Sequence, residues 1–222
     1  MTVVAVVPMR HNSERVVGKN FRILGGRPLY HHILEVLLSI DSIDQVVIDT
    51  DSDVIMADAG RVFPQVALLE RPPHLRAGDI PMNDVLLNTL ERISADIVLQ
   101  THSTNPFLGA STIQAALDSF VASRDHFDSA FGVTRIQNRF WTAQGAPLNH
   151  DPRVLARTQD LEPIFLENSC FYIFPPETIH TNRNRIGRSP LMVEVPAMEA
   201  IDIDDESDWT LAIAIEAMRS VA

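Results

Sequence analysis

Apolar and polar positions along the chain follow two patterns, one typical of buried β-strands and the other of amphipathic helices. Residues 2–7 form a continuous apolar run rich in valine, as expected for a strand buried on both faces of a sheet. Runs of this kind predict further strands at residues 45–49, 66–69, 97–101, 129–134, 169–174 and 191–195. Helical spacing of apolar side chains predicts helices at residues 28–40, 53–61, 81–93, 111–123 and 209–218.

Strands and helices that alternate through short connections are typical of βαβ units on a mostly parallel sheet. We therefore predict one α/β domain over residues 1–222, with a Rossmann-like sheet flanked by helices. The alternation breaks at residues 135–166, which show no clean period. Apolar side chains such as Phe140 and Trp141 argue against a disordered insert there, so we expect an inserted arm that contacts a second subunit.

Composition narrows the possible partners and compartments. The chain carries 18 basic against 29 acidic side chains, a net charge of −11, which argues against a protein that coats nucleic acid or anionic membranes. No apolar run approaches the ~20 residues that cross a bilayer, and the N-terminus lacks the basic region of a signal peptide. The single cysteine, Cys170, excludes an internal disulfide and fits a reducing compartment. We expect a cytoplasmic protein without nucleic-acid or membrane partners.

The loop after the first strand reverses the overall charge. Residues 10–27 contain five basic side chains and one acid, Glu14, and they include the only lysine of the chain, Lys19. Ligands of open α/β sheets bind beyond the carboxyl ends of the strands, and a loop of Arg, Lys and small residues suits a polyphosphate there. The loop is not a Walker A motif, because Ser13 occupies the position of its first Gly and Asn20 that of its final Ser or Thr. The dinucleotide-binding motif G-x-G-x-x-G is also absent. The loop predicts a phosphate site of another kind; the alternative is a solvated charged loop.

A second candidate feature is acidic. In Ile201–Asp204 polar and apolar residues alternate, so an extended backbone points Asp202 and Asp204 to the same side. Two such carboxylates repel unless a cation lies between them, and their oxygens suit Mg²⁺. The alternative is a helix N-terminus, which favours acids and accounts for Glu206 and Asp208. A phosphate loop together with a metal-binding pair indicates phosphoryl or nucleotidyl transfer.

Six segments occur in an order and spacing shared with one known family. They are Pro8–Asn20 (PMRHNSERVVGKN), Val47–Asp51 (VIDTD), Glu70–Pro72 with Asp79, Thr104–Pro106 (TNP), Arg157–Leu161 with Asn168 and Tyr172, and Ile201–Asp204 (IDID). Together they resemble the motifs of the acylneuraminate cytidylyltransferases, the enzymes that make CMP-activated ulosonic acids such as sialic acid. The resemblance runs along nearly the whole chain.

The resemblance implies an Mg²⁺-dependent homodimer that joins CTP to a free eight- or nine-carbon 2-keto-3-deoxy sugar acid and releases pyrophosphate. It implies an arm that reaches the partner's site. The implied catalytic side chains, which stabilise the charge of the reacting phosphates, are Arg10, Arg15 and Lys19. The implied nucleotide ligands are these three together with Ser13, Asn20, Arg71 and His102. The implied sugar ligands are Arg157, Gln159, Asn168 and Tyr172, and the implied metal ligands are Asp202 and Asp204.

Four positions depart from the family pattern. Glu14 replaces a common Lys, Val17 a Pro, and Ser169 a Gly, while His102 replaces a Gln that usually faces the base. A neutral imidazole offers one donor and one acceptor and could read a pyrimidine edge; the alternative is a half-buried histidine at a strand end. Two other functions stay open: another sugar nucleotidyltransferase or glycosyltransferase, and a nucleotide-binding module without turnover. The identity of the sugar acid is not encoded in these motifs.

Overall fold

The structure is a computed structural model that describes residues 1–13 and 15–219. Glu14, and with it the predicted effect of this acid on the basic loop, lies outside the described residues. Within the described chain, seven strands form one sheet in the order β5-β4-β1-β6-β8-β7-β9. They are β1 (Val3–Met9), β4 (Gln45–Thr50), β5 (Ala67–Glu70), β6 (Ile97–Thr101), β7 (Ser129–Ile136), β8 (Ile164–Phe174) and β9 (Pro190–Glu194).

Parallel pairing joins β1 to β4 and β6, β4 to β5, and β7 to β9, whereas β8 runs antiparallel to both of its neighbours. The helices are α1 (Leu29–Leu38), α2 (Asp53–Val62), α3 (Met82–Leu90), α4 (Ala110–Ala122), α5 (Pro176–Asn182) and α6 (Glu206–Arg219). The prediction of a mostly parallel, Rossmann-like sheet flanked by helices is confirmed. The pattern missed α5 and a small hairpin of β2 (Ile23–Leu24) and β3 (Arg27–Pro28).

The central strand β1 shows why the first run contains no polar position. Its alternate residues enter two separate apolar clusters, Val3, Ala5 and Val7 on one side of the sheet and Val4 and Val6 on the other. All seven residues of β1 are buried, because helices cover both faces. A strand so placed gains stability from every side chain, whereas a polar one would have to find a buried partner.

Residues 135–166 include the ends of β7 and β8 and the segment that joins these two strands. Past a bulge at Gly132, where a Cβ atom would meet Oδ1 of Asn168 at 2.6 Å, the two strands pair antiparallel from Val133 and Glu167 to Ile136 and Ile164. The irregular tip is held by its own polar contacts, among them Nδ2 of Asn149 donating to the carbonyls of Asn138 and Glu162. Large apolar side chains of this arm are exposed: Trp141, Leu148, Val154, Leu155, Phe165 and Leu166. Contact of this surface with a second subunit stays a prediction.

Among the described residues, no helix combines the length and the apolar character needed to cross a membrane. Cys170 lies fully buried in β8, where burial raises the pKa of its thiol to about 12. The thiol is therefore kept protonated and unreactive, and its role is that of a small apolar side chain.

Candidate active site

A cleft of about 540 Å³ opens at the carboxyl ends of β1, β4 and β6. This is the edge at which open parallel sheets bind ligands. The cleft is lined by residues that follow each of these strands, including Arg10 after β1, Asp51 after β4 and Ser103 after β6. It also brings together nine of the residues predicted from sequence: Arg10, Ser13, Arg15, Lys19, Asn20, Arg71, His102, Asp202 and Asp204.

One apolar cluster holds the basic loop against the acidic segment. Val16 of the loop and Ile203, which separates the two aspartates, are both fully buried and share this cluster with Trp209 of α6. Because alternate side chains point to opposite sides, burying Ile203 turns its two acidic neighbours outward to the cleft. The hydrophobic pattern thus places opposite charges against each other.

A glycine turn then aims the lysine into the cleft. Gly18 adopts φ +65°, and a Cβ atom there would meet the ring of Phe21 at 2.8 Å, so only glycine fits. The turn leads into a short 3₁₀ segment, Lys19–Phe21. Its middle residue, Asn20, donates from Nδ2 to the carbonyl of Arg10 at 2.8 Å and accepts from Oγ of Ser103 at 2.7 Å. Asn20 therefore fastens both ends of the loop to the sheet.

Three of the five basic side chains of residues 10–27 differ in the partners they reach. Arg15 and Lys19 reach Asp204, the second residue of the acidic pair. Nη2 of Arg15 lies 2.8 Å from Oδ1 of Asp204. Nζ of Lys19 lies 3.7 Å from the same oxygen and donates to the carbonyl of Ile203 at 2.6 Å. Burial lowers the pKa of Lys19, although both aspartates oppose that shift. Arg22 points elsewhere, since it pairs with Glu206 at 2.7 Å and stacks over Trp209.

Asp202 carries the clearest sign of a missing partner. Its Oδ1 is buried and accepts no hydrogen bond from the described residues. Burial raises the pKa of this carboxyl, and the charge of Asp204 raises it further. Within residues 1–13 and 15–219, no cluster of three His, Cys, Asp or Glu side chains could enclose a metal. Mg²⁺ commonly takes one or two carboxylates and completes its shell with water and substrate phosphates, so the two aspartates fit that ion.

Arg71, which also lines the cleft, is held by a buried ion pair with Asp49. It is 1% exposed, and its Nε lies 2.6 Å from Oδ1 of Asp49. Thr89 donates to the other oxygen of this carboxylate at 2.9 Å, so the pair joins β4, α3 and the segment after β5. Arg71 borders the cleft, but its described hydrogen bonds go to Asp49, and the predicted contact with base and ribose stays a prediction.

His102 lines the cleft at the end of β6 and is part of a chain of polar contacts that the sequence did not reveal. Its Nε2 lies 3.0 Å from Nε2 of Gln100, whose Oε1 accepts from Nη1 of Arg185 at 2.6 Å. The guanidinium of Arg185 stacks on the ring of Tyr172, 3.5 Å from its centroid. Burial and the charge of Arg185 lower the pKa of His102 to about 3, so its imidazole is neutral. A lone arginine in a loop after α5 carries no sequence signal that could have identified it.

None of the four predicted sugar ligands is among the residues that line this cleft. Arg157 is exposed on the arm and pairs with Asp160 at 2.7 Å, and the carbonyl of Gln159 accepts from Gln137. Neither residue is among those that line the cleft of the described chain, so the expectation that both lie there is not met within one chain. Asn168 and Tyr172 are buried in β8, where they bond to Thr134 and Glu167 respectively and do not line the cleft.

Gly78, Arg76 and Ser169 also line the cleft, although the sequence did not predict them as ligands. Gly78 accepts from Nη1 of Arg10 at 2.8 Å, and Arg76 donates from Nε to the carbonyl of Arg71 at 2.8 Å and pairs with Glu70. Ser169 lines the cleft with φ 58°, a left-handed conformation that is unfavourable for a residue with a side chain. The family motif covers only the two ends of the segment from Glu70 to Asp79.

The chain matches the family model described as "Cytidylyltransferase" over residues 4–205. It is 28% identical to CMP-N,N'-diacetyllegionaminic acid synthase of Legionella pneumophila, over 95% of this chain and 94% of that protein. It is 26% identical to N-acylneuraminate cytidylyltransferase of Oncorhynchus mykiss over 95% of this chain, but it spans only 49% of that longer protein. A 3-deoxy-manno-octulosonate cytidylyltransferase of Pelobacter propionicus is 30% identical over 53% of the chain and 44% of its own length.

Solved structures show the same fold. The structure of CMP:2-keto-3-deoxy-manno-octonic acid synthetase complexed with CTP superimposes with a TM-score of 0.73, at 14% identity, over 99% of this chain and 100% of that one. A 4-diphosphocytidyl-2C-methyl-D-erythritol synthase of Anaerococcus prevotii gives a TM-score of 0.68 at 11% identity, over 96% of this chain and 95% of that one.

Proposed function

Because the chain belongs to the cytidylyltransferase family, we propose that it joins CTP to a free sialic-acid-like 2-keto-3-deoxy sugar acid, giving the CMP-sugar and pyrophosphate. The observation that carries the proposal is the meeting of Arg15 and Lys19 with Asp202 and Asp204 in one cleft at the carboxyl ends of the strands. The substrate class is supported by relatives at 26–28% identity whose names specify N-acylneuraminate and legionaminic acid.

In this reaction the anomeric hydroxyl of the sugar attacks the α-phosphorus of CTP. The new O–P bond forms as the bond to the β-phosphate breaks, the hydroxyl proton is lost to solvent, and pyrophosphate leaves. Negative charge grows on the phosphate oxygens, and fixed cations stabilise it most in a cleft that holds little water. Arg10, Arg15 and Lys19 line the cleft and supply that charge.

Asp202 and Asp204 are the residues that would hold Mg²⁺, and the unpartnered Oδ1 of Asp202 supports this assignment. When bound, the ion would neutralise phosphate charge and lower the pKa of the attacking hydroxyl, so that a dedicated protein base is less necessary. Asp204 has a further role before the substrate arrives, since it neutralises Arg15 and Lys19. We expect Asp202→Asn to lower kcat by ~10²-fold, and EDTA to silence the wild type until Mg²⁺ is added back.

The test of the function is pyrophosphate release from CTP, UTP, ATP and GTP, each offered with a panel of free eight- and nine-carbon ulosonic acids. Release with CTP and one of these sugars, without any acceptor glycan, supports the proposal. Release with another nucleotide alone makes the protein a different sugar nucleotidyltransferase. Binding of CTP without release for any sugar makes it a nucleotide-binding module, and either result overturns the proposal.

Variants of the basic loop test the site within that assay. Lys19→Ala and Arg15→Ala are each expected to lower kcat/KM for CTP at least tenfold, a loss of about 1.4 kcal/mol or more. Arg22→Ala is the matched control, because it removes the same charge from the same loop but belongs to the pair with Glu206. Equal losses in all three variants would assign the effect to the general charge of the loop.

We also propose that the protein is a homodimer in which Arg157 and Gln159 of the arm bind the sugar acid in the partner's cleft. The exposed position of Arg157 outside its own cleft supports this arrangement. Co-expression of Lys19→Ala and Arg157→Ala chains is expected to restore about a quarter of the wild-type sites, because one site of each mixed dimer is intact. A monomer by light scattering, or no recovery in the mixture, would contradict shared sites.

A further inference from the structure

Residues 103–105, which follow β6 directly, contact both charged parts of the cleft. Their contact with the basic loop is made by Ser103, whose Oγ donates to Oδ1 of Asn20 at 2.7 Å, and both residues are buried. On its other side, Nδ2 of Asn20 donates to the carbonyl of Arg10 at 2.8 Å. A carbonyl can only accept, so the amide must turn its NH₂ group to Arg10 and its oxygen to the hydroxyl. Ser103 therefore supports the orientation of Asn20 that fixes the start of the loop.

The same short segment holds the acidic part of the cleft on both sides of Asp202. The carbonyl of Thr104 accepts from the backbone N–H of Ile203 at 2.9 Å, and Nδ2 of Asn105 donates to the carbonyl of Ile201 at 3.3 Å. These two backbone groups belong to the peptide units before and after Asp202. Because each peptide unit is planar, holding both units fixes the backbone dihedral angles between them. The direction in which the side chain of Asp202 leaves the backbone is thereby fixed as well.

Asn105 is completely buried, and its hydrogen bonding is incomplete. It is 0% exposed, and its Oδ1 accepts no hydrogen bond from the described residues. A buried amide with an unpartnered oxygen costs free energy that an apolar side chain of similar size would avoid. The stability of the fold therefore does not by itself account for an asparagine at this position. The donor that it supplies to Ile201 gives a reason for the amide.

We propose, on the basis of the proposed function, that Ser103 and Asn105 are positioning residues, Ser103 for the basic loop and Asn105 for the carboxylate of Asp202. Ser103 acts through the amide of Asn20, and Asn105 acts through the peptide unit of Ile201. Since both belong to one segment, that segment sets the cations of the loop relative to the carboxylate that would hold Mg²⁺. A site whose groups are in place before the ligand arrives loses less free energy in ordering them.

The two roles are separated by titrating CTP into each protein by calorimetry, first in EDTA and then in excess Mg²⁺. The Kd in EDTA reports on the loop, and this Kd divided by the Kd in Mg²⁺ reports on the aspartate pair. Ser103→Ala is expected to raise the Kd in EDTA by about threefold or more and to leave the ratio unchanged, because it loosens the loop alone. Asn105→Ala is expected to leave the Kd in EDTA unchanged and to lower the ratio by about fivefold or more, because the carboxylate of Asp202 is no longer held for the cation.

Thr178→Val is the matched control, since it removes a buried hydroxyl that donates to the carbonyl of Asp128 at 2.8 Å but does not line the cleft. It is expected to change neither quantity. If circular dichroism shows that Asn105→Ala does not fold, Asn105→Ser is measured in its place, and its shorter side chain is expected to give the same loss. Equal changes of both quantities in both variants would indicate a general loss of order and overturn the proposal, as would wild-type values in both. Failure of the pyrophosphate assay together with the expected shifts would overturn the proposed reaction and leave this inference standing.

Discussion

Asp204 forms ion pairs with Arg15 and Lys19, the two cations that we expect to bind the triphosphate. Its Oδ1 lies 2.8 Å from Arg15 and 3.7 Å from Lys19, so nucleotide binding has to break these ion pairs before new ones form. Asp204→Asn removes the competing charge while keeping the size of the side chain. We predict that this variant binds CTP more tightly than the wild type when no divalent cation is present, although it turns over more slowly with Mg²⁺.

The size of the gain follows from the exposure of the ion pairs. The side chains of Arg15 and Asp204 are 65% and 49% exposed, and exposed pairs contribute about 0.2–1 kcal/mol each. The contact of Lys19 is longer, but its side chain is only 12% exposed and solvent screens it less. Releasing both cations therefore adds about 1 kcal/mol to CTP binding, roughly a fivefold lower Kd. Loss of the repulsion between the carboxylate and the triphosphate acts in the same direction.

The assay is calorimetric titration of CTP into each protein, first in EDTA and then in excess Mg²⁺. We expect the variant to bind more tightly in EDTA and to gain less from Mg²⁺ than the wild type. Asp205→Asn is the matched control, because it removes the same charge from the adjacent residue, and asparagine keeps the capping role in which Oδ1 accepts from Ser207. Unchanged or weaker binding of CTP by Asp204→Asn in EDTA would show that Asp204 does not compete with the triphosphate.

Three further predictions concern stability. Arg71→Met leaves the carboxylate of Asp49 buried without its cation, so it is expected to lower the free energy of unfolding by about 3–5 kcal/mol, measured in urea. Adding Asp49→Asn is expected to recover part of this loss. No recovery would contradict the ion-pair reasoning. Ser169→Gly relieves φ 58° and is expected to raise that free energy by roughly 0.5–1 kcal/mol in thermal unfolding, whereas a loss would show that the hydroxyl contributes more than the strain costs. Burial lowers the pKa of His32 in the folded state. As the pH falls below about 6.5, the ordinary pKa of histidine, His32 is therefore protonated more fully in the unfolded chain than in the folded one. Stability should therefore fall from pH 7 to pH 5, and an equal slope in His32→Gln would contradict this.

The sheet was predictable because its strands are buried on both faces. Each predicted run overlaps an observed strand, and residues 97–101 agree with β6 at both ends. The missed elements have too few residues to show a period: β2 and β3 have two residues each, and α5 has seven and begins with proline. The break in alternation marked residues 135–166 as irregular, but the way β7 and β8 pair at its two ends depends on contacts between distant segments.

The candidate site was predictable where charge and alternation lie close together in the sequence. The basic loop and the pair Asp202 and Asp204 each have a local pattern, and both lie at the carboxyl edge of the sheet. Side chains whose roles depend on distant partners were not predictable. Arg71 appears as a ligand in the motif, yet its buried hydrogen bonds go to Asp49, and the contact of Arg185 with Gln100 joins segments 85 residues apart.

The acidic net charge of the chain does not exclude a polyanion from this cleft, because only nearby charges count. At physiological ionic strength, charges in solvent are screened beyond ~8 Å, so the net charge of −11 has little influence inside the cleft. Among the described lining residues, Arg71 and Arg76 are already paired with Asp49 and Glu70. The remaining lining cations are Arg10, Arg15 and Lys19, and the lining carboxylates are Asp51, Asp202 and Asp204. Because these positive and negative charges are equal in number, the cleft does not attract a triphosphate strongly by itself. A divalent cation would make the charge of the cleft positive. We therefore expect the nucleotide to bind best together with the cation.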